Sequence, residues 1–446
     1  MSSFHEAAGR DVVLFIGGVR AATFAALEQY YKLYDKRLTV VVFIDRKKAK
    51  MISLLNKQKQ SRKIIVETID FESPVALRRA LRKYSNRFLA VTCQYENAIP
   101  YMEKIIPNLP YIDTPTQSSL DWSTDKIMMR KMLKAYDPKL VPKFTVVKDV
   151  DEASITKIEK QVGYPLVIKP SGLAQSLLVS VAYDREELVK NLRTTLRVIE
   201  KTYKARLGRG TPKVLVEQLM DGGMYSIDVY VNGRGTTYPT PPVHVRTGRA
   251  IGFDDFFGYQ RITPTRLLKS QIEDANQAAV KAVRALGLRS TTAHVELMRT
   301  HKGWKIIELA PRMGGFRHEM YSLSFGINHI LNDILIRVPQ KPIIPKKARG
   351  YTAVLNVYAR KEGKLGTITG VKKVKSLDSF LHMDVNKVAG DELKFAKNGG
   401  TPVVAITMFN AVRSSLIADI RKMEQSLVIR VDPMRRAKQA PPVQPA

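Results

Sequence analysis

A chain of 446 residues exceeds what one hydrophobic core supports, so several domains are expected. Its single cysteine, Cys93, excludes an internal disulfide framework and a cysteine-based zinc cluster, and no apolar run approaches the ~20 residues of a membrane helix. The net charge of +32 would attract nucleic acid, anionic membranes or acidic substrates, but the basic residues are spread along the whole chain.

Only residues 46–63 are densely basic, with eight Lys/Arg and no acid, and they read as a solvated face. Neither a membrane nor nucleic acid is therefore expected as the main partner. A reducing, cytoplasmic location fits the cysteine usage.

Residues 11–17, 38–45, 64–68 and 87–92 are short β-branched runs, with helical patterns such as 21–33 and 74–84 between them. Strands alternating with helices predict a parallel α/β domain over residues 1–115. Gly17 and Gly18 end the first strand, where such folds place ligands, although the full dinucleotide fingerprint is missing. Glu96, after the fourth strand, either reaches a cleft or is a solvated loop acid.

Residues 121–136 (DWSTDKIMMRKMLKAY) predict one helix capped by Asp121 or Ser123. A strand at 143–147 and a helix at 152–161 precede the short buried strand 164–169, which ends in Lys169 and runs into the loop SGLAQS. Strands at 179–182, 213–217 and 225–231 and a helix at 186–200 follow, and Glu217 ends the second of these strands. An amphipathic helix covers 270–286, ended by Gly287, and 326–336 also reads as helical. After a linker, PQKPIIP, strands at 351–360, 371–374, 403–408 and 427–431 with a helix at 412–423 predict a small α+β domain over 346–432. The tail 433–446 is basic, then Pro/Ala/Gln-rich, and is expected to be disordered.

The stretch 294–315 reads HVELMRTHKGWKIIELAPRMGG. Two apolar alternating runs separated by a polar turn predict a β-hairpin. Each run carries one glutamate, Glu296 or Glu308, in otherwise apolar company. Two carboxylates on adjacent strands repel unless a cation lies between them, and Mg²⁺ suits hard oxygen ligands shared with phosphates. Arg312 and the Gly314–Gly315 pair follow, a donor fork on a loop that suits phosphate or carboxylate. The plainer alternative is that both glutamates point outward from an ordinary amphipathic hairpin.

The stretches DKIMMRKML, YPLVIKP, KVLVEQL, HVELM and IELAPRMGG, in this order, resemble the ATP-grasp superfamily. The C-terminal GDELKFAKNGGTPV narrows the resemblance to carboxylate–amine ligases of the L-amino-acid ligase type. The resemblance covers residues 11–432. It implies an α/β and α+β multidomain fold: the N-terminal α/β domain, a split nucleotide-binding module over 116–340, and the small C-terminal domain.

It also implies site roles. Lys126 and Lys169 would contact the nucleotide phosphates, with Ser171, Gln175 and Ser176 as donors in the covering loop. Glu217 and the backbone of Gln218 and Leu219 would read the adenine edge. Glu296 and Glu308 would hold one or two Mg²⁺ ions, or Mn²⁺ in their place. Arg312, with Lys169, would stabilise the charge on the transferred phosphoryl. The implied reaction turns ATP and a carboxylate into an acyl-phosphate that an amine then attacks, with small substrates of amino-acid or dipeptide type. A homodimer is compatible with the sequence.

Three positions depart from the family pattern. The covering loop has one glycine, Gly172; Ala310 stands where relatives often carry a metal-binding asparagine; Met224 stands where many have a ribose-binding glutamate. These departures keep a second reading open: a nucleotide-binding protein without ligase activity, or one that uses its basic surface on nucleic acid. Arg317 and His318 are either substrate-carboxylate ligands or residues flanking a helix.

Overall fold

The computed structural model of the protein describes residues 9–48, 64–173, 176–206, 213–338 and 340–432. Most of the dense basic run, Gln175 and the C-terminal tail expected to be disordered lie outside the described residues.

The described residues form a multidomain arrangement of four sheets with covering helices, α/β at the N-terminal side and α+β beyond. The β-branched runs Val12–Ile16, Thr39–Asp45, Ile64–Ile69 and Phe88–Cys93 form the first sheet, all parallel, with Val12–Ile16 and Phe88–Cys93 fully buried along their length. Continuous apolar runs suit a parallel sheet covered on both faces. The helix Pro74–Arg82 shows local determination: the Ser73 hydroxyl accepts from the Ala76 N–H, and Pro74 occupies a first-turn position where its missing N–H costs nothing.

A small antiparallel sheet follows, in the order Phe144–Val147, Val214–Gln218, Leu166–Pro170, Ser180–Ala182, backed by helices Glu152–Gln161 and Arg185–Arg206. The central nine-stranded sheet carries the hairpin Thr291–Thr300/Gly303–Ala310 at one end, paired to the long strand Gly223–Val231. The sheet runs on through Gly258–Thr263 into Tyr351–Val357 and Val404–Asn410, so one continuous hydrogen-bonded surface joins the hairpin to the C-terminal part. Among the described residues no helix is long and apolar enough to cross a membrane.

Some elements differ from the sequence expectation. The single helix expected over 121–136 is two, Gln117–Thr124 and Lys126–Tyr136. Asp125 is extended and accepts from the N–H groups of Ile127 and Met128, so it caps a new helix in mid-pattern; the caps are Thr116 and Asp125, not Asp121 or Ser123. The strand expected at 371–374 is the helix Val371–Lys375, entered through Gly370 at φ 83°, and four alternating residues could not separate the two periods. Gly326, at φ 71°, closes the helix Arg317–Phe325, and a new helix, His329–Leu335, starts at the Asn328 cap. Strands Val243–Thr247 and Gly258–Thr263 were not expected; their polar residues hide the alternation.

One buried polar cluster ties the parallel sheet to the central one. Asp333 accepts from Thr92 Oγ1 at 2.5 Å and Thr292 Oγ1 at 2.6 Å, and Arg337 pairs with it at 2.9 Å. Both charged side chains are almost fully buried. Asp333→Ala leaves the Arg337 charge unpaired inside the protein and should lower unfolding free energy by about 3–5 kcal/mol. Urea denaturation checks this; a loss below about 1 kcal/mol would show that the cluster behaves like a surface pair.

Candidate active site

The hairpin sets the site. Glu296 and Glu308 are direct cross-strand partners, so their carboxylates leave the sheet side by side. The register shifts immediately after Glu296, and the residue left over is Ile307, whose carbonyl accepts from Arg130 at 2.6 Å.

The two glutamates line both of two adjoining cavities, of about 650 and about 410 Å³. The larger is bounded by Lys126, Lys169, Ser176, Gln218, Leu219 and Met224. The smaller is bounded by Glu96, Arg261, His294, Arg312, Arg317 and Tyr358. Lys126 and Lys169 therefore lie on one side of the carboxylate pair, together with Arg246 and Arg249, and Arg261, Arg312 and Arg317 lie on the other.

On the lysine side, Lys126 pairs with Glu308 at 2.8 Å and also donates to the Leu173 carbonyl at 2.8 Å. Burial opposes its charge, but Glu308 more than compensates and raises its pKa. Lys169 donates to Glu217 at 2.7 Å. Glu217 is buried behind it, gripped also by Arg130. Burial would raise the Glu217 pKa, yet the two cations bring it down to about 2.

Glu217 was expected to read adenine, and its carboxylate is instead occupied in orienting Lys169. The N–H groups of Gln218 and Leu219 donate to the carbonyls of Lys143 and Pro165, so these two residues offer the cavity side chains and carbonyls. Ser171 is buried against the Tyr203 hydroxyl at 3.1 Å and lines neither cavity, whereas Ser176 lines both.

On the arginine side, Arg312 pairs with Glu96 at 2.5 Å. Glu96 thus belongs to a cleft, and the first domain contributes directly to the site. His294 lies two residues before Glu296, on the same face of the strand, with its Nε2 3.6 Å from the Glu296 carboxylate. Its Nδ1 faces Asp228 at 2.6 Å. The fully buried Asp228 also accepts from His329 Nε2 at 2.7 Å and from the Gly314 N–H at 2.8 Å. One carboxylate therefore aims a histidine and fixes the Gly314–Gly315 loop; an added Cβ at Gly314 would meet the His294 ring at 2.5 Å.

Burial would raise the Glu296 pKa, but His294, Arg261 and Arg312 hold it at about 2. Burial would lower the His294 pKa, and Asp228 raises it above the ordinary 6.5.

Sequence reasoning gave no role to His294 or Arg261 and did not see what Asp228 holds. The spacing of His294 from Glu296 was a usable signal. Asp228 and Arg261 were hidden in strands whose partners are remote in sequence.

These features accord with the comparison to known proteins: the model of the ATP-grasp domain family matches residues 162–319. The chain carries an ATP-grasp domain. Across the whole chain the fold is similar to that of the L-amino acid ligase from Bacillus licheniformis, with a TM-score of 0.73 at 18% identity over 95% of this chain and 99% of that one. In sequence it is 25% identical over 302 residues to the uncharacterized protein y4rH of Sinorhizobium fredii, covering 67% of this chain and 56% of that protein. It is 32% identical over 124 residues to the phosphoribosylamine–glycine ligase of Methanopyrus kandleri, covering 28% and 26%. The chain thus matches about half the length of the first relative and about a quarter of the second.

The Asp228–His294 pair yields a pH prediction. The raised His294 pKa adds stability that is complete below about pH 6.5 and fades as pH rises through the folded value. The lowered Asp228 pKa adds stability present above about pH 3.9 and lost as pH falls through its folded value. In Asp228→Asn only Glu296 still opposes the effect of burial, so the His294 midpoint should fall. An NMR titration of the histidine ring protons reads this; an unmoved midpoint would remove Asp228 as the cause.

Proposed function

We propose that the protein is an ATP-dependent ligase that joins a carboxylate to an amine through an acyl-phosphate, releasing ADP and phosphate. The observation that carries this reading is the facing pair Glu296–Glu308 at the seam of a lysine-lined and an arginine-lined cavity. The nucleotide fits the larger cavity and the carboxylate and amine substrates, of amino-acid or dipeptide type, the smaller. An ATP-rich, reducing compartment such as the cytoplasm suits this reaction.

The donor set fits a hard divalent cation. Glu296 is held ionised, and Glu308 faces it at cross-strand distance. Ala310 offers no ligand, and among the described residues no group of three or more His, Cys, Asp or Glu is arranged to hold a metal ion. Glu296 and Glu308 would therefore hold Mg²⁺, or Mn²⁺, with water and phosphate oxygens completing the shell. When bound, the ion neutralises phosphate charge.

The chain's own residues do the rest. Lys169, kept in place by Glu217, and Lys126 would meet the phosphates. Arg312, braced by Glu96, and His294, whose protonated form Asp228 favours, would face the negative charge that develops as the phosphoryl passes to the substrate carboxylate. The amine then attacks the acyl carbon, the carbon–oxygen bond to phosphate breaks, and phosphate leaves with the electron pair. Such chemistry needs positioning and charge neutralisation more than covalent participation.

The decisive experiment is ADP release that depends on added amino acids; none with any carboxylate–amine pair would sink the proposal. Glu308→Gln, which keeps shape and removes charge, should cut that turnover by at least about a hundred-fold while the far-UV circular dichroism spectrum stays native. Near-normal turnover in this variant would remove Glu308 from the metal role.

Met224 lines the nucleotide-sized cavity, and a thioether is at best a weak acceptor for the ribose hydroxyls. Loss of the 2′-hydroxyl should therefore cost about tenfold or less in kcat/KM, and Met224→Glu should widen the gap. A wild-type preference for ATP over 2′-deoxy-ATP well above about a hundred-fold would show that another group reads the sugar.

A further inference from the structure

The buried arginines Arg130 and Arg337 each face a carboxylate, Glu217 and Asp333. Arg317 does not. It is 1% exposed, and its guanidinium meets only neutral atoms: the Gly315 carbonyl at 3.1 Å, Ser226 Oγ at 2.6 Å and Met320 Sδ at 3.5 Å. Its Nε has no partner among the described residues. Arg261 enters the same 410 Å³ cavity from the strand Gly258–Thr263. It donates to the Gly258 carbonyl at 3.0 Å and lies over the Phe316 ring at 5.7 Å. Among the described residues neither arginine forms an ion pair.

Two desolvated guanidinium groups side by side repel each other and are costly to bury without a counter-charge. Burial and the neighbouring Arg317 charge lower the Arg261 pKa to about 10. The acids that share the cavity are otherwise engaged: Glu96 holds Arg312, Glu308 holds Lys126, and Glu296 is aimed at by His294. On the same wall Asn356 presents a buried side-chain oxygen with no donor. A fork of guanidinium donors beside an orphan acceptor matches a small molecule with a carboxylate and an N–H group.

We propose that Arg261 and Arg317 together seat a substrate carboxylate that the ligation leaves intact, so that at least one substrate carries an acidic group besides the one being joined. This rests on the ligase reading. The intact carboxylate belongs either to the amine acceptor, as the α-carboxylate of an amino acid, or to the acyl donor, as the second acid of a dicarboxylate. Neither arginine borders the lysine-lined cavity, so the nucleotide phosphates are not the anion in question.

The test is ADP release by wild type, Arg261→Gln and Arg317→Lys with matched pairs of compounds: amino acids against their amides and decarboxylated amines, and dicarboxylates against monocarboxylates. Wild type should favour the carboxylate-bearing member of one pair by about ten- to a hundred-fold in kcat/KM; that pair identifies the source of the carboxylate. Arg261→Gln should raise KM for that member by a similar factor, while KM for ATP and for the neutral analogue moves less than about threefold. Equal use of charged and neutral analogues by wild type, or an unchanged preference in Arg261→Gln, overturns the proposal. Arg317→Lys adds a second reading where it folds; Arg261→Gln decides alone where it does not.

If no compound elicits ADP release, the ligase reading fails separately. Calorimetric titration of the same compounds with Mg²⁺ and a non-hydrolysable ATP analogue then decides the anion seat. Carboxylate-selective binding that Arg261→Gln abolishes sustains it, and binding without that selectivity, or none, removes it.

Discussion

Two carboxylates forced onto one rung of a hairpin are the constraint from which the rest of the site follows. Glu296 and Glu308 face each other because the strand register leaves them no alternative. Their repulsion is met by cations from both sides: Lys126 on Glu308, and His294, Arg261 and Arg312 around Glu296. Each such cation would be costly to bury alone, so another layer of anions stands behind them. Asp228 holds His294, Glu96 holds Arg312, and Glu217 holds Lys169. The polar interior is a set of alternating charges growing outward from one unfavourable contact.

No single sheet could supply this pattern. The carboxylates come from the central sheet, Lys169 and its orienting acid Glu217 from the small antiparallel sheet, and Glu96 from the turn after the parallel sheet. Ile307, the residue left over at the bulge, shows how tightly these parts interlock. Its carbonyl accepts from Arg130, which grips Glu217, which orients Lys169. The geometry of the hairpin is thereby transmitted to a lysine on another sheet through two side chains.

The parts of this arrangement that could be read from sequence are those with a local period. The parallel sheet announced itself through β-branched runs, and the hairpin through two alternating stretches that each hold an anomalous glutamate. Lys169 and Glu217 stood out as charges ending buried strands. The parts that could not be read depend on remote partners. Asp228 sits in an apolar strand and is explained only by His294, His329 and the Gly314 N–H, each more than 60 residues away. Arg261 lies in a strand whose alternation is blurred by polar residues, so neither strand nor arginine drew notice. Glu217 was visible as a site residue, but its task of holding Lys169 required knowing that Arg130 lies behind it.

The division of cations across the carboxylate pair also gives the site a direction. A lysine ammonium is a compact point charge on a flexible stem and suits phosphate oxygens that shift during transfer. A guanidinium is a rigid planar fork and suits a carboxylate approached in one orientation. Lys126 and Lys169 border only the larger cavity, beside Arg246 and Arg249, whereas Arg261, Arg312 and Arg317 border only the smaller, so the smaller cavity presents guanidinium groups without lysines. The large positive charge of the chain does not produce this selectivity, because it is spread over the whole sequence. On the proposal made above, selectivity follows from buried guanidinium groups that form no ion pair among the described residues, Arg261 and Arg317.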